Sequence, residues 1–207
     1  MSEYSDKKLF CSGEKQSGLL LVISGPSGCG KGTVLSKLFE NRSGLFYSIS
    51  ATTRSPRQGE VNGKEYYFLT KQDFEQKIEQ GEMLEYASYC GNYYGTPASA
   101  VEEQCSKGYD TVLEIEVQGA MLVKKACPKC VTIFISPPSM QELERRLRGR
   151  GTERDEVIKN RLEMAMREIG SAGAYDYIVV NDDVEAAALK IDSIISAEKC
   201  KASRLLL

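Results

Sequence analysis

Gly25-Pro26-Ser27-Gly28-Cys29-Gly30-Lys31-Gly32-Thr33 follows the apolar run Leu19-Leu20-Leu21-Val22-Ile23 and opens a segment in which Val34, Leu35, Leu38 and Phe39 recur on one helical face. A strand, a glycine-rich turn and a helix start in that order read as a phosphate-binding loop. Glycines free the backbone to turn its amide N–H groups onto a nucleotide's phosphates. The helix N-terminus adds positive potential, and Lys31 reaches the outer phosphates as a point charge. The loop departs from the common pattern at one place: Gly32 follows the lysine, and the hydroxyl arrives one residue later, at Thr33. All nine residues from Gly25 to Thr33 are therefore candidate nucleotide ligands.

The rest of the composition narrows the chemistry. At 207 residues the chain can bury a substantial core as one unit with inserted subdomains. No apolar run approaches a membrane span, and residues 1–18 carry Lys7, Lys8 and Lys15 without a central hydrophobic block. They read as a flexible polar lead, and a cytoplasmic location is the expectation. A net charge of −2 gives no reason to expect nucleic acid or an anionic membrane as partner. Histidine is absent, which removes the nucleophile systems and most metal sites built on imidazole. The seven cysteines are odd in number and scattered, as for reduced thiols. Cys127-Pro128-Lys129-Cys130 has metal or redox spacing, but a zinc site needs two more ligands and no second pair exists, so a loop before the next strand is expected. Cys29 lies beside Lys31 and a helix N-terminus, both of which lower a thiol's pKa. A reactive thiolate protected by bound nucleotide is one expectation there, and an inert thiol shielded by packing is the other.

Apolar strands alternate with amphipathic helices. Strands are expected at Phe46–Ser50, Tyr109–Glu116, Val131–Ile135 and Tyr177–Val180, and helices at Ala98–Ser106, Gln118–Ala126, Met140–Arg148, Asp155–Ile169 and Val184–Lys199. Ser139 with Glu142 makes a capping box. This alternation predicts an α/β fold with a parallel sheet covered by helices on both faces. Residues 51–97 break the rhythm: they are rich in Tyr, Gly and polar residues, with short strands around Tyr66–Leu69 and Met83–Tyr89 and a helix over Lys71–Gln80. They read as an inserted subdomain.

That insertion holds a second cluster, Thr52-Thr53-Arg54-Ser55-Pro56-Arg57-Gln58-Gly59-Glu60, where two guanidinium groups in close succession suit a second phosphate. Tyr66, Glu85 and the turn Gly91-Asn92-Tyr93-Tyr94-Gly95-Thr96-Pro97 follow. Phenol hydroxyls can cap phosphate oxygens, and a carboxylate accepts two hydrogen bonds from adjacent donors, such as N1 and the exocyclic amine of guanine. A third cluster, Arg145, Arg146, Arg148, Arg150 and Arg154 around Gly149 and Gly151, with Arg161 beyond it, suits a hinged lid that carries cations to phosphate.

The order of these pieces resembles the guanylate kinase family from about Leu19 to Lys199. The motifs that carry the resemblance are GPSGCGKGT, TTRSPRQGEVNGKEYYF, GNYYGTP, IEVQGA, GRGTE and the VNDD of Val180 to Asp183. The resemblance implies a P-loop kinase with a core at residues 19–50 and 98–200, a nucleoside-monophosphate-binding insertion at 51–97, a mobile lid at about 149–156 and a short tail at 201–207. It implies ATP-dependent phosphorylation of GMP, and of dGMP, to the diphosphate. The GMP phosphate would be held by Arg54, Arg57, Tyr66 and Tyr94, and guanine read by Ser50, Glu85, Thr96 and Glu116. Lys31 and Arg54, with the lid arginines Arg146, Arg150 and Arg161, would face the transferred phosphate, and Asn181 would border adenine. Mg²⁺ would arrive with ATP, held mainly by ATP oxygens and water with the Thr33 hydroxyl as its protein donor. The partners implied are ATP and GMP, and the chain would be a monomer or homodimer. In the family Asp usually stands where Glu116 does, and Ser often stands at Gly32. Peptide-binding modules related to this family typically have a degraded phosphate loop, whereas Gly30, Lys31 and the arginines are intact here. Another kinase of the same fold could take a different acceptor, and Ser50, Glu85 and Thr96 are the residues that discriminate.

Overall fold

The run that precedes the glycine-rich loop forms strand β1, Leu20–Ser24, buried along its whole length as a strand covered on both faces must be. The computed structural model describes residues 17–89, 91–149 and 155–205. After β1 come α1 (Lys31–Asn41) and β2 (Leu45–Tyr47), then β3 (Ala51–Thr52), β4 (Tyr67–Phe68), α2 (Lys71–Glu79), β5 (Met83–Tyr89) and β6 (Asn92–Pro97). The chain continues through α3 (Ala98–Ser106), β7 (Asp110–Glu114), α4 (Val117–Ala126), β8 (Val131–Ser136), α5 (Met140–Arg148) and α6 (Asp155–Gly170). A 3₁₀ turn at Ala172–Ala174, β9 (Tyr177–Val180), α7 (Val184–Lys199) and α8 (Ala202–Leu205) complete it.

Two sheets divide the work. Strands β2-β7-β1-β8-β9 form a sheet in which every pairing is parallel. On one face α1 and α7 pack Val34, Leu35, Leu38, Ala187, Ile191 and Ile195 against it. On the other, Val101, Cys105, Ala120 and Val123 of α3 and α4 close the second layer. Leu38 and Ile191 are fully buried, and each such side chain contributes about 1.5–3 kcal/mol by leaving water. Strand β1 lies between β7 and β8, so the chain winds away from it in both directions. The crevice beyond its carboxyl end is where ligands bind in open sheets of this kind.

The second sheet, β4-β3-β6-β5, belongs wholly to residues 51–97 and has a small core of its own. Phe74 is fully buried there and stacks on Tyr93 with ring centroids 5.3 Å apart. The stretch from Asn92 to Pro97, expected as a turn, is instead β6, antiparallel to β5, with Tyr94 opposite Ala87 and Thr96 opposite Glu85. The strand expected at Phe46–Ser50 is the earlier β2, because after Ser48, whose N–H still reaches Val112 O at 2.9 Å, the chain leaves for the second sheet. The strand expected at Tyr66–Leu69 is only Tyr67–Phe68. The Ser139 hydroxyl caps α5 by accepting from the N–H of Glu142 at 3.1 Å. The Glu142 carboxylate turns to Arg145 and Arg146 instead of closing the box. Residues 150–154, the middle of the segment expected as a lid at about 149–156 and including Arg150, Gly151 and Arg154, lie outside the described residues, as do the first sixteen residues, Cys90 and the last two.

Candidate active site

The phosphate-binding loop leaves β1 and enters α1 through Gly30, which sits in the left-handed region at φ 92° as the N-cap. Glycine is required there twice over: the backbone is strained for any other residue, and a Cβ would collide with the Asn181 side-chain amide. Three groups converge on the backbone of this loop. Asn181 Nδ2 donates to Cys29 O at 2.7 Å, and Arg146 donates from Nη1 to the same oxygen at 3.2 Å and from Nη2 to Asn181 O at 3.0 Å. Lys31 arches back over the loop and donates from Nζ to Gly25 O at 2.6 Å and Pro26 O at 3.3 Å. Asn181 is 2% exposed, and its Oδ1 finds no donor among the described residues. An orphaned buried acceptor costs about 1–3 kcal/mol and suits a ligand N–H. Gly32 and Thr33 are exposed on the first turn of α1, with nothing within 4 Å of where a Gly32 side chain would begin. Among the described residues no group of three or more His, Cys, Asp or Glu could hold a metal ion.

The second sheet carries the other half. Glu85 on β5 is 7% exposed, and the Thr96 hydroxyl donates to its Oε1 at 2.7 Å across the β5–β6 pair. On its far side is Gly119 of α4, where a Cβ would stand only 2.7 Å from Glu85 Oε2. A glycine at that point lets the carboxylate lie against the core. Burial pushes the Glu85 carboxyl up to about 7, opposed in part by hydrogen bonds from Thr96. Glu116 is the residue from which α4 starts. Ser50 is half-buried just before β3, its carbonyl accepting from Tyr67 N at 2.9 Å.

Nearby, the Tyr66 and Tyr94 rings meet edge to face at 6.0 Å, and the Arg54 guanidinium lies 5.5 Å from the centre of the Tyr66 ring. Arg57 is exposed one turn of loop away. The structure thus gathers Arg54, Tyr66 and Tyr94 into one cluster, Glu85 with Thr96 into a second, and Lys31, Arg146 and Asn181 into a third around the loop. Arg161 is half-buried on α6, and Arg150 lies outside the described residues.

Two carboxylates escaped the sequence reading. Glu60 grips Arg54 bidentately, and Glu168 on α6 is pushed up to about 7 by burial and by Glu116, with Lys31 acting the other way. Glu168 sits in the last stretch of a largely solvated helix, where spacing offers no signal. Glu60 closes a motif whose two arginines are the stronger phosphate signal. Cys29 is the shielded case of the two expectations: it is fully buried, and desolvation raises its thiol pKa despite Lys31. Cys127 and Cys130 are buried in the loop between α4 and β8, as expected.

A protein-family model described as guanylate kinase matches residues 17–198. The chain belongs to the guanylate kinase family. It is 53% identical over 192 residues to the guanylate kinase of Lactococcus lactis subsp. lactis, covering 93% of this chain and 94% of that one. The guanylate kinase of Desulfitobacterium hafniense is 51% identical over 191 residues, 92% of this chain and 96% of the relative. The crystal structure of guanylate kinase from Anaplasma phagocytophilum superposes with a TM-score of 0.75 at 39% identity, covering 92% of this chain and 90% of that one. The parallel sheet with its glycine-rich loop is thus the P-loop kinase core of a guanylate kinase. No helix among the described residues is long and apolar enough to cross a membrane.

Proposed function

We infer that this guanylate kinase family member transfers the γ-phosphoryl group of ATP to GMP, and to dGMP, giving ADP and the guanosine diphosphate. The observation that carries the acceptor's identity is Glu85, a buried carboxylate backed by Thr96 and Gly119. When ionised it accepts from the adjacent N1 and amine donors of guanine, whereas adenine presents a lone pair at N1. Ser50, Thr96 and Glu116 complete the base pocket in this reading. Arg54, Arg57, Tyr66 and Tyr94 hold the GMP phosphate, whose second pKa near 6 leaves it largely ionised at neutral pH, so a general base is not needed.

The loop from Gly25 to Thr33 takes the ATP phosphates, and the orphan Oδ1 of Asn181 suits the exocyclic amine of adenine. Lys31 exchanges its two loop carbonyls for phosphate oxygens. Arg146, Arg150 and Arg161 offset the negative charge that gathers as the phosphoryl group passes, while closure of insertion and lid keeps water out. Mg²⁺ fits as a passenger on ATP. The exposed Thr33 hydroxyl is the hard donor at the loop, and a hard cation of this kind is usually held by one or two protein oxygens plus substrate phosphates. When bound, it would neutralise phosphate charge.

A coupled ADP-release assay across GMP, dGMP, AMP, CMP and UMP tests the reading. GMP and dGMP should exceed the others in kcat/KM by roughly 10⁴ or more, as a site built on paired donors achieves. Comparable turnover of AMP would overturn it.

A further inference from the structure

Glu60 accepts three hydrogen bonds in the insertion, and nothing in the base pocket or the phosphate loop accounts for it. Its carboxylate takes Arg54 end-on, Oε1 accepting from Nη2 at 2.9 Å and Oε2 from Nη1 at 3.0 Å. Oε2 also accepts from the backbone N–H of Arg57 at 2.7 Å. The second Nη1 proton goes to Ser55 O at 2.7 Å. A guanidinium has five donors in a rigid plane. The two not committed to Glu60 or Ser55 are Nε–H and the second Nη2–H, which lie side by side on one edge as a ready-made fork for a phosphate. The Tyr94 hydroxyl also interacts with this guanidinium, from the same edge, where a phosphate oxygen would take its place, and the plane is steadied over the Tyr66 and Phe68 rings at 5.5 and 5.7 Å.

We propose that Glu60 is the positioning residue of the acceptor-phosphate site: it clamps the far end of Arg54 and the Arg57 backbone so that the Nε–Nη2 edge of Arg54 faces the GMP phosphate. This rests on the reading that Arg54 holds that phosphate. The clamp takes up, before substrate arrives, the rotamer freedom that a long flexible side chain would otherwise lose on binding. It also fixes the loop from 54 to 60, because one carboxylate ties a side chain and a backbone amide across it. Glu60 does not touch substrate, so its effect must appear in the binding of the phosphate and not of the base.

The test compares the whole protein with E60A, E60Q, R54A and the double variant R54A/E60A. The readouts are kcat and KM for GMP and the inhibition constant of guanosine, which keeps the base and lacks the phosphate. Loss of the clamp should raise the GMP KM of E60A by roughly ten- to thirtyfold, the factor that ordering one long side chain represents. E60Q, with one acceptor oxygen left, should fall between it and wild type. Guanosine inhibition should not move, and on the R54A background, where only the Arg57 amide contact is left to lose, removing Glu60 should add much less than it does on wild type. A lower GMP KM in E60Q or E60A would mean that the carboxylate competes with phosphate, and a guanosine constant that rises in step would mean general disruption; each overturns the proposal. If R54A raises the GMP KM and E60A does not, Glu60 fails while the phosphate site stands. If R54A also leaves it unchanged, the phosphate site itself has been misread.

Discussion

Glu85 has to be ionised to accept guanine's two donors, yet burial holds its carboxyl at about 7. Apparent affinity therefore scales with the ionised fraction. That fraction is roughly one tenth at pH 6 and nine tenths at pH 8, so affinity for the base should rise about tenfold between them. The sign follows from linkage. A carboxyl raised above its ordinary 4.5 binds protons more tightly folded than unfolded. Its contribution to stability is full below about 4.5 and fades as the pH climbs through about 7; at 1.36 kcal/mol per unit the span is ~3 kcal/mol. Guanosine should restore what alkaline pH removes. Guanosine is the right probe because GMP's own phosphate titrates near pH 6. Calorimetric titrations of guanosine at several pH values, in two buffers of different ionisation enthalpy, would give both the affinity and the protons released. About half a proton should leave on binding near pH 7. The Glu85→Gln variant should bind more weakly and show neither slope nor release. A flat profile in the wild type, or a slope that survives in Glu85→Gln, would refute the assignment of guanine recognition to this carboxylate.

Three further outcomes follow from the geometry. Glu85→Gln swaps one acceptor for a donor, so GMP efficiency should fall by roughly 1–3 kcal/mol while AMP loses much less, and steady-state kinetics should show the GMP-to-AMP preference narrowing. Lys31→Met should lower kcat by about a hundredfold or more with a smaller change in nucleotide affinity, because Lys31 acts on the transferring group; a variant keeping over half of wild-type kcat would remove it from catalysis. Cys29, buried and with a raised thiol pKa, should react with iodoacetamide far more slowly than the exposed Cys200, as peptide mass mapping would reveal.

The phosphate-binding loop was legible because its requirements are local: a buried strand, glycines where the backbone turns inward and a helix start fall within one short stretch. Helices such as α5 and α7 were legible for the same reason, since apolar spacing and a polar cap state them directly. Strand β6 was not. Gly91, Gly95 and Pro97 read as punctuation, yet Gly95 is small because Phe74 and the β5 backbone close over it. Tertiary packing, not turn chemistry, chose that residue. Glu60 and Glu168 were hidden because a carboxylate's partner is set by the fold: Arg54 is six residues from Glu60, whereas Glu116 and Lys31 come to Glu168 from distant elements. Cys29 misleads locally for the converse reason. A helix N-terminus and a lysine argue for a thiolate, but complete burial outweighs both.

The central claim is that phosphoryl passes directly from ATP to GMP in a site that excludes water. Phosphorus NMR of the purified protein with ATP, GMP and magnesium tests it most directly, since each product has its own resonances. The account predicts ADP and GDP accumulating in equal amounts with no orthophosphate. Orthophosphate and ADP without GDP, or no change in the spectrum at all, would contradict it.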